Sequence, residues 1–292
     1  MVVAQGKSAS EFTPRVPFRF SLSLAKYWKI LRISLVERLV YRADFFISTI
    51  FRFLPLITSF LLWEAVYASS GQDDISGFTR RQMIAYLLLV QISRMFSSMP
   101  GLAGGIARDI RDGNLKKYLL QPIDMLAYLL AYRGAHKMAY IVTSSLPYAL
   151  LFFLCRDVFD GWPDAGTLVL YVVSLLLAFL IGFFFEATIG MIGFWLLEVT
   201  SFLYIVNTLN FFVSGHMFPL DILDEWPGLV SFLQLLPFQY LAYFPAMVFL
   251  DKLTWLELWR GLAMEAFWAV FFFGMARWLY RLGLRRYSAY GG

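Results

Sequence analysis

Cysteine is all but missing from the 292 residues: Cys155 stands alone. One thiol excludes an internal disulfide framework and a thiolate metal cluster. The two histidines, His136 and His216, are 80 positions apart, so a helical two-histidine zinc motif is absent and no metal site is expected. Charge is scarce at 15%, against about 25% in soluble domains. No Gly-x-x-x-x-Gly-Lys-Ser/Thr phosphate loop occurs; Gly101, Gly104 and Gly105 crowd together, but no Lys-Ser/Thr follows them. There is no Asp-rich motif and no set of convergent histidines, so a catalytic group is not expected. What fills the chain instead is apolar. Sixty per cent of residues are hydrophobic, 30 are Phe, 16 Tyr and 9 Trp, and mean hydropathy is +0.64. That composition excludes a soluble enzyme, a disordered chain and a nucleic-acid-binding domain, despite the net charge of +5.

A spanning helix needs about 20 mostly apolar residues to cross about 30 Å of hydrocarbon. Runs of that kind lie at 45–67, 83–105, 138–155 and 262–282. A further run of about 50 residues, too long for one span, reads as a hairpin of 168–197 and 199–217 turning near Glu198. The uncharged stretch 229–250 carries Pro237 and Pro245, which remove backbone donors. It is expected to form half-helices dipping into the outer leaflet. The fold predicted is therefore an all-α polytopic membrane protein with six transmembrane helices in residues 43–284.

Charge placement orients it. The segment before the first span, the 106–137 loop and the C-terminal end hold 18 of the 25 cations. The opposite loops hold half the acids. Cytoplasmic segments are enriched in Lys and Arg, so both termini are placed in the cytoplasm. The first forty residues, basic and amphipathic, do not read as a cleaved signal. Residues 1–17 read as a tail and 285–292 as a second one. Residues 18–42 read as an amphipathic helix along the inner leaflet, with Leu24, Trp28, Leu31 and Leu35 forming its stripe, or as a plain basic anchor.

Two loops carry pattern. Between spans two and three, Gly113 suits a left-handed break and Asn114 can cap a following helix. Pro122 ends that helix, leaving 115–121 with Leu115, Leu119 and Leu120 on one face and Lys116 and Lys117 on the other. So short a helix must dock on something. After span five comes Ser214-Gly-His-Met-Phe-Pro-Leu, then a proline-cut aromatic stretch suited to the interfacial belt.

Together these two stretches resemble the permease subunits of type-2 ATP-binding-cassette transporters. The matching residues are Asp112, Gly113, Asn114, Leu115, Leu119, Leu120 and Pro122 in the first loop. In the second they are Ser214, Gly215, Phe218, Pro219 and Leu220. Asn114 stands where threonine is commoner in the family. The resemblance implies a permease without its own motor, in a bacterial inner membrane. In it the first loop would be a coupling helix seated in an ATPase subunit, and residues 18–42 a connecting helix. Gly215, Phe218, Pro219 and Pro237 would belong to an outer gate. It also implies a second permease, identical or homologous, contact with membrane lipids, and ATP and Mg bound by the partner ATPase rather than by this chain. Export is favoured, since the outer surface offers no docking domain.

Ionisable groups at membrane depth point to function. Arg52, Glu64 and Glu265 lie near the ends of their runs and are expected to reach water or snorkel. Arg94 and Glu186 fall near the centres of theirs; they either pair within the chain or line a transport path. Asn207 and Asn210 either join a helix contact or face that path. Gly190 and Gly193 are expected to allow close helix packing. The competing readings are an ion-coupled secondary transporter, thinly supported by one central acid and no clear repeat, and a membrane-embedded lipid-modifying enzyme.

Overall fold

The computed structural model of the chain describes residues 24–40, 42–159, 161–196 and 199–287. The tail 1–17, Glu198 at the expected turn, and the Arg52 and Leu24 side chains lie outside the described residues. Helix dominates. In chain order the α-helices are α1 Leu24–Val40, α2 Arg42–Ser70, α3 Arg80–Ser97, α4 Leu102–Arg111 and α5 Lys116–Leu119. Then come α6 Met125–Leu154, α7 Ala165–Met191, α8 Thr200–Val213, α9 Pro227–Leu235, α10 Tyr243–Phe249 and α11 Trp255–Arg286. A two-residue hairpin, Asp74–Ile75 against Phe78–Thr79, joins α2 to α3.

Helix α7 is the axis of the bundle and packs against α11, α4, α3 and α10. Asp164 caps it, accepting from the Gly166 and Thr167 backbone N–H groups. These bonds and the Thr167 hydroxyl hold the Asp164 carboxyl below its ordinary range. Its inward face uses glycine where neighbours come close. A side chain at Gly182 would overlap the backbone carbonyl of Ser97, so α3 ends directly against it. Gly190 packs against Ala103 and Ile106, and Gly193 against Ala107, which are the close contacts expected of these two residues.

Among the described residues, five helices or helix pairs are long and apolar enough to cross a bilayer: Phe53–Ser70, Arg80–Arg111, Met125–Leu154, Ala165–Phe194 and Trp255–Arg286. The fifth predicted span, 199–217, is the shorter α8. Its 14 residues rise about 21 Å at 1.5 Å each. The helix stops at Val213 because the chain turns through Gly215, whose φ is +76°. The second predicted span is not one helix either. Ser98 is extended, Pro100 follows, and Gly101 is left-handed at φ +72°, so α3 and α4 are separate segments.

Helix α1 lies along α6. Its expected stripe is split: Leu31 and Leu35 are half-buried, but Trp28 is 64% exposed. The buried position is Ser34, one turn along from Ile30 and Leu31. Lys26 donates to the Pro122 carbonyl, and the Asp124 N–H donates to the Tyr27 hydroxyl at 3.4 Å. The start of α6 is thus tied to α1.

The stretch 229–250 forms short helical pieces, α9, a 3-10 turn Pro237–Leu241 and α10. Pro227 opens α9 and Pro237 opens the turn. Pro245 does not break its helix. It sits in the first turn of α10, where a backbone N–H has no helical partner to lose. Tyr86 is fully buried and donates to the Gly215 carbonyl, while the Tyr243 N–H donates to Ser214 O at 3.1 Å. The Tyr243 hydroxyl reaches both oxygens of Asp221, at 2.9 and 3.0 Å. Burial pushes the Asp221 carboxyl above its ordinary range, and the Tyr243 hydrogen bond opposes that rise.

Candidate functional site: a broken helix between a cavity and an exposed turn

The α3–α4 break is held at both ends by charges from other helices. At the C-terminal end of α3, carbonyls lack helical partners and carry the negative end of the helix dipole. Lys137 of α6 donates to the carbonyls of Met95 and Ser98, and Arg133 donates to Pro100 O at 3.0 Å. At the N-terminal end of α4 the sign reverses. Gly101 offers no side-chain cap. The Glu186 carboxylate of α7 lies near the Ala103 N–H instead, and also within the field of Arg133. Cations meet one helix end and a carboxylate the other, each contact contributing about 0.3–1 kcal/mol and up to about 2 where partly buried. Glu186, one of the two central charges picked out from the sequence, thus serves as a cap supplied across the bundle.

Arg94, the other central charge, lies one turn before the end of α3. It lines a cavity of about 310 Å³ together with Glu186, Asn207 and Asn210. The four residues considered for a transport path therefore share one space. Helix α8 gives it Leu203, Asn207, Asn210 and Phe211, spaced as one face of a helix. The Arg94 guanidinium lies 5.8 Å from the centre of the Phe211 ring. His216 also lines it, a residue the sequence reading weighed only as a metal ligand. Its neighbours come from α3, the break and α8, so no local pattern exposes it. Arg94 also lines a second cavity of about 250 Å³, bounded by Gln91, His136, Lys137 and Tyr140.

Past α4 the chain reaches the loop read as a coupling element. Gly113 ends α4 in the left-handed conformation at φ +72°. The Asn114 N–H reaches Asp109 O at 2.9 Å and the Gly113 N–H reaches Ile110 O at 3.4 Å, the paired bonds of a Schellman motif. The helix after it is one turn, Lys116–Leu119, shorter than the expected 115–121. Leu115 takes the N-cap position, with no side-chain cap bond, so Asn114 does not cap. The three leucines also part company. Leu115 is fully buried, whereas Leu119 and Leu120 are 44% and 83% exposed. Buried Tyr118 packs on Tyr128 with ring centres 5.6 Å apart, and Lys117 pairs with Asp109 at 2.7 Å. Burial lowers the Lys117 pKa, but Asp109 and Tyr118 together outweigh that, and the ammonium sits above its ordinary value. Asp112, Asn114 and Pro122 are exposed around the turn. The result is an apolar tip, Leu119 and Leu120, on a buried root.

A family model described as ABC-2 family transporter protein matches residues 53–291, well over half of the chain. The chain belongs to the ABC-2 transporter family. It is an ABC transporter permease, a multi-pass membrane component of a transport system. No curated protein is similar enough to this permease to count as a match. The matched region contains the broken helix, the exposed turn and the cavity.

Below the break the permease is tied by a buried ion pair that sequence patterning does not single out. Arg277 of α11 pairs with Asp124, the N-cap of α6, and its side chain is only 8% exposed. The sequence reading counts Arg277 among the cations of the C-terminal end; the others in that count, Arg281, Arg285 and Arg286, follow it along α11. Glu265 is a second surprise. Instead of reaching water it is fully buried, accepting from the Ser174 hydroxyl at 3.2 Å, with its other oxygen unpartnered. Glu64 does reach the surface, in an exposed pair with Arg80.

The residues assigned to an outer gate lie at the far end of α8. Gly215 is buried beneath Tyr86 and Tyr243, and Phe218 is half-buried. Pro219 precedes a 3-10 turn, Leu220–Leu223, and Pro237 begins the next one.

Proposed function

We propose that this chain is the membrane half of an ATP-driven exporter, moved by a separate ATPase subunit that binds ATP and Mg. The observation that carries this reading is the exposed Leu119–Leu120 tip on its buried root. An apolar pair facing outward at a polar membrane edge fits a cleft in a partner. The root connects it, through α4, to the break, the Glu186 cap and the cavity. Force on the tip moves α4 against α7, and the α3–α4 break lets α4 move without dragging α3 rigidly. Alternating access then follows from two arrangements of that joint, with the ATPase supplying the differential interaction between them.

In this reading the tip, α1 and both termini face the cytoplasm of a bacterial inner membrane, where the basic segments belong. Asp112, Gly113, Asn114 and Pro122 shape the coupling turn, and Arg94, Glu186, Asn207 and Asn210 line the path. The segment from Gly215 to Pro237 gates the outer side. The exposed face of α8, with Tyr204, Ile205 and Leu209 outward, receives a second permease, identical or homologous, or membrane lipid. The test is reconstitution with the ATPase. Leu120→Asp, folded and inserted normally, is expected to lose ATPase binding and stimulation.

Buried Glu265 favours one second reading, an ion-coupled transporter, because an intramembrane acid can carry a proton. Transport by the purified chain without any ATPase would select it.

A further inference from the structure

The cavity beside Arg94 has a lining of mixed character. Arg94, Asn210 and His216 are polar; Leu203, Phe211 and Leu241 are apolar. Its volume of about 310 Å³ falls at the small end of ligand pockets, about 300–1,000 Å³. That is room for a headgroup and a few carbons rather than a whole lipid.

The polar part of the lining is unfinished. Asn210 Oδ1 and His216 Nε2 are both buried and have no hydrogen-bond partner in the protein. Buried polar atoms are ordinarily satisfied, so two such atoms in one cavity call for a third party. Both are adaptable. The Asn210 amide can rotate to offer its N–H₂, and the His216 ring can carry its proton on either nitrogen. The Ser214 hydroxyl lies 3.5 Å from Nδ1 and orients the ring. Arg94 brings a permanent positive charge whose field reaches His216. The one acid among the described lining residues, Glu186, lies near the Ala103 N–H and within the field of Arg133. The space therefore favours an anion over a cation.

We propose that this cavity is a headgroup site for an acidic amphiphile. A phosphate or carboxylate oxygen is held by Arg94, Asn210 and His216, and the apolar tail runs past Phe211 and Leu203 along the exposed side of α8. The proposal rests on the transporter reading and names the class of molecule carried. Arg94 is the charge anchor; Asn210 and His216 set the geometry.

The experiment is equilibrium binding to the purified full chain in uncharged micelles, read by native mass spectrometry. The probes are dodecyl phosphate, dihexanoyl phosphatidylglycerol, dodecyltrimethylammonium and inorganic phosphate. The two acidic amphiphiles are expected to bind at least about tenfold tighter than the cation or the bare ion, the scale of one charge-assisted hydrogen bond. Preference for the two-chain lipid identifies a bilayer source; preference for dodecyl phosphate identifies a single-chain cargo. Arg94→Gln is expected to lose about tenfold or more of that affinity and Arg94→Lys to recover most of it, while Asn210→Ala and His216→Ala each weaken it several-fold. Equal binding of the cation, equal binding of bare phosphate, or an unchanged Arg94→Gln overturns the proposal. No ATPase is present, so failure here beside intact ATPase stimulation rejects the ligand class alone. Loss of stimulation beside intact binding rejects the coupling instead.

Discussion

Helices α7 and α8 come from the same long apolar run, yet the protein treats them in opposite ways. Helix α7 is wrapped by α3, α4, α10 and α11, with Ile181 and Phe183 fully buried and glycine at its closest crossings. Helix α8 touches only a few neighbours and exposes Tyr204 at 72%, Ile205 at 60% and Leu209 at 56%. Leucines, phenylalanines and valines suit lipid and protein interior alike, so hydropathy cannot separate the two. The small residues can. Gly182, Gly190 and Gly193 mark where α3, α4 and the chain after α7 come close, while the described part of α8 has no glycine at all.

This contrast between a packed side and an open side is open to mutation, and the effects should fall in order. Arg277→Ala on the packed side leaves Asp124 charged and unpaired in a half-buried setting. Breaking a buried pair from one side costs about 3–5 kcal/mol, and the loss should appear as a large drop in detergent melting temperature. Gly182→Ala forces a methyl group into the Ser97 carbonyl. Overpacking of this kind costs about 1–3 kcal/mol, and the melting temperature should fall less than for Arg277→Ala. Tyr86→Phe removes the donor to the buried Gly215 carbonyl, at about 1–3 kcal/mol for a buried group left unsatisfied. Its signature should be faster proteolysis between α8 and α10. Ile205→Ala on the open side should change the melting temperature of the isolated chain hardly at all, within about 0.5 kcal/mol. A large loss there would show α8 to be packed within one chain, and the contrast would fail.

Much of this architecture could be read from residues in order. Apolar spanning helices, the proline-cut short helices and the left-handed Gly113 all follow from length, composition and backbone preference. The break in the second span could have been read from Pro100-Gly101, but the surrounding apolar run hid it. What could not be read were contacts across the bundle. The Glu186 cap on α4, the Arg277–Asp124 pair and the fate of Glu265 depend on which helices meet, and no local spacing encodes that. The short helical turn after Gly113 was legible as a place and wrong in detail, since Leu115 and Leu120 share a sequence pattern but Leu115 is buried and Leu120 exposed. At the cavity, Arg94, Glu186, Asn207 and Asn210 stood out as polar groups in apolar runs. His216 did not, because it follows the helix end, where a polar residue attracts no notice.

The central claim is that an ATPase works this membrane domain through the Leu119–Leu120 tip. The direct measurement is the ATPase rate of the reconstituted assembly with Leu120→Asp beside the unmodified chain, both shown to be folded and inserted. The account predicts that the variant neither retains the ATPase nor changes its rate. An assembly that forms and hydrolyses ATP as before would contradict it.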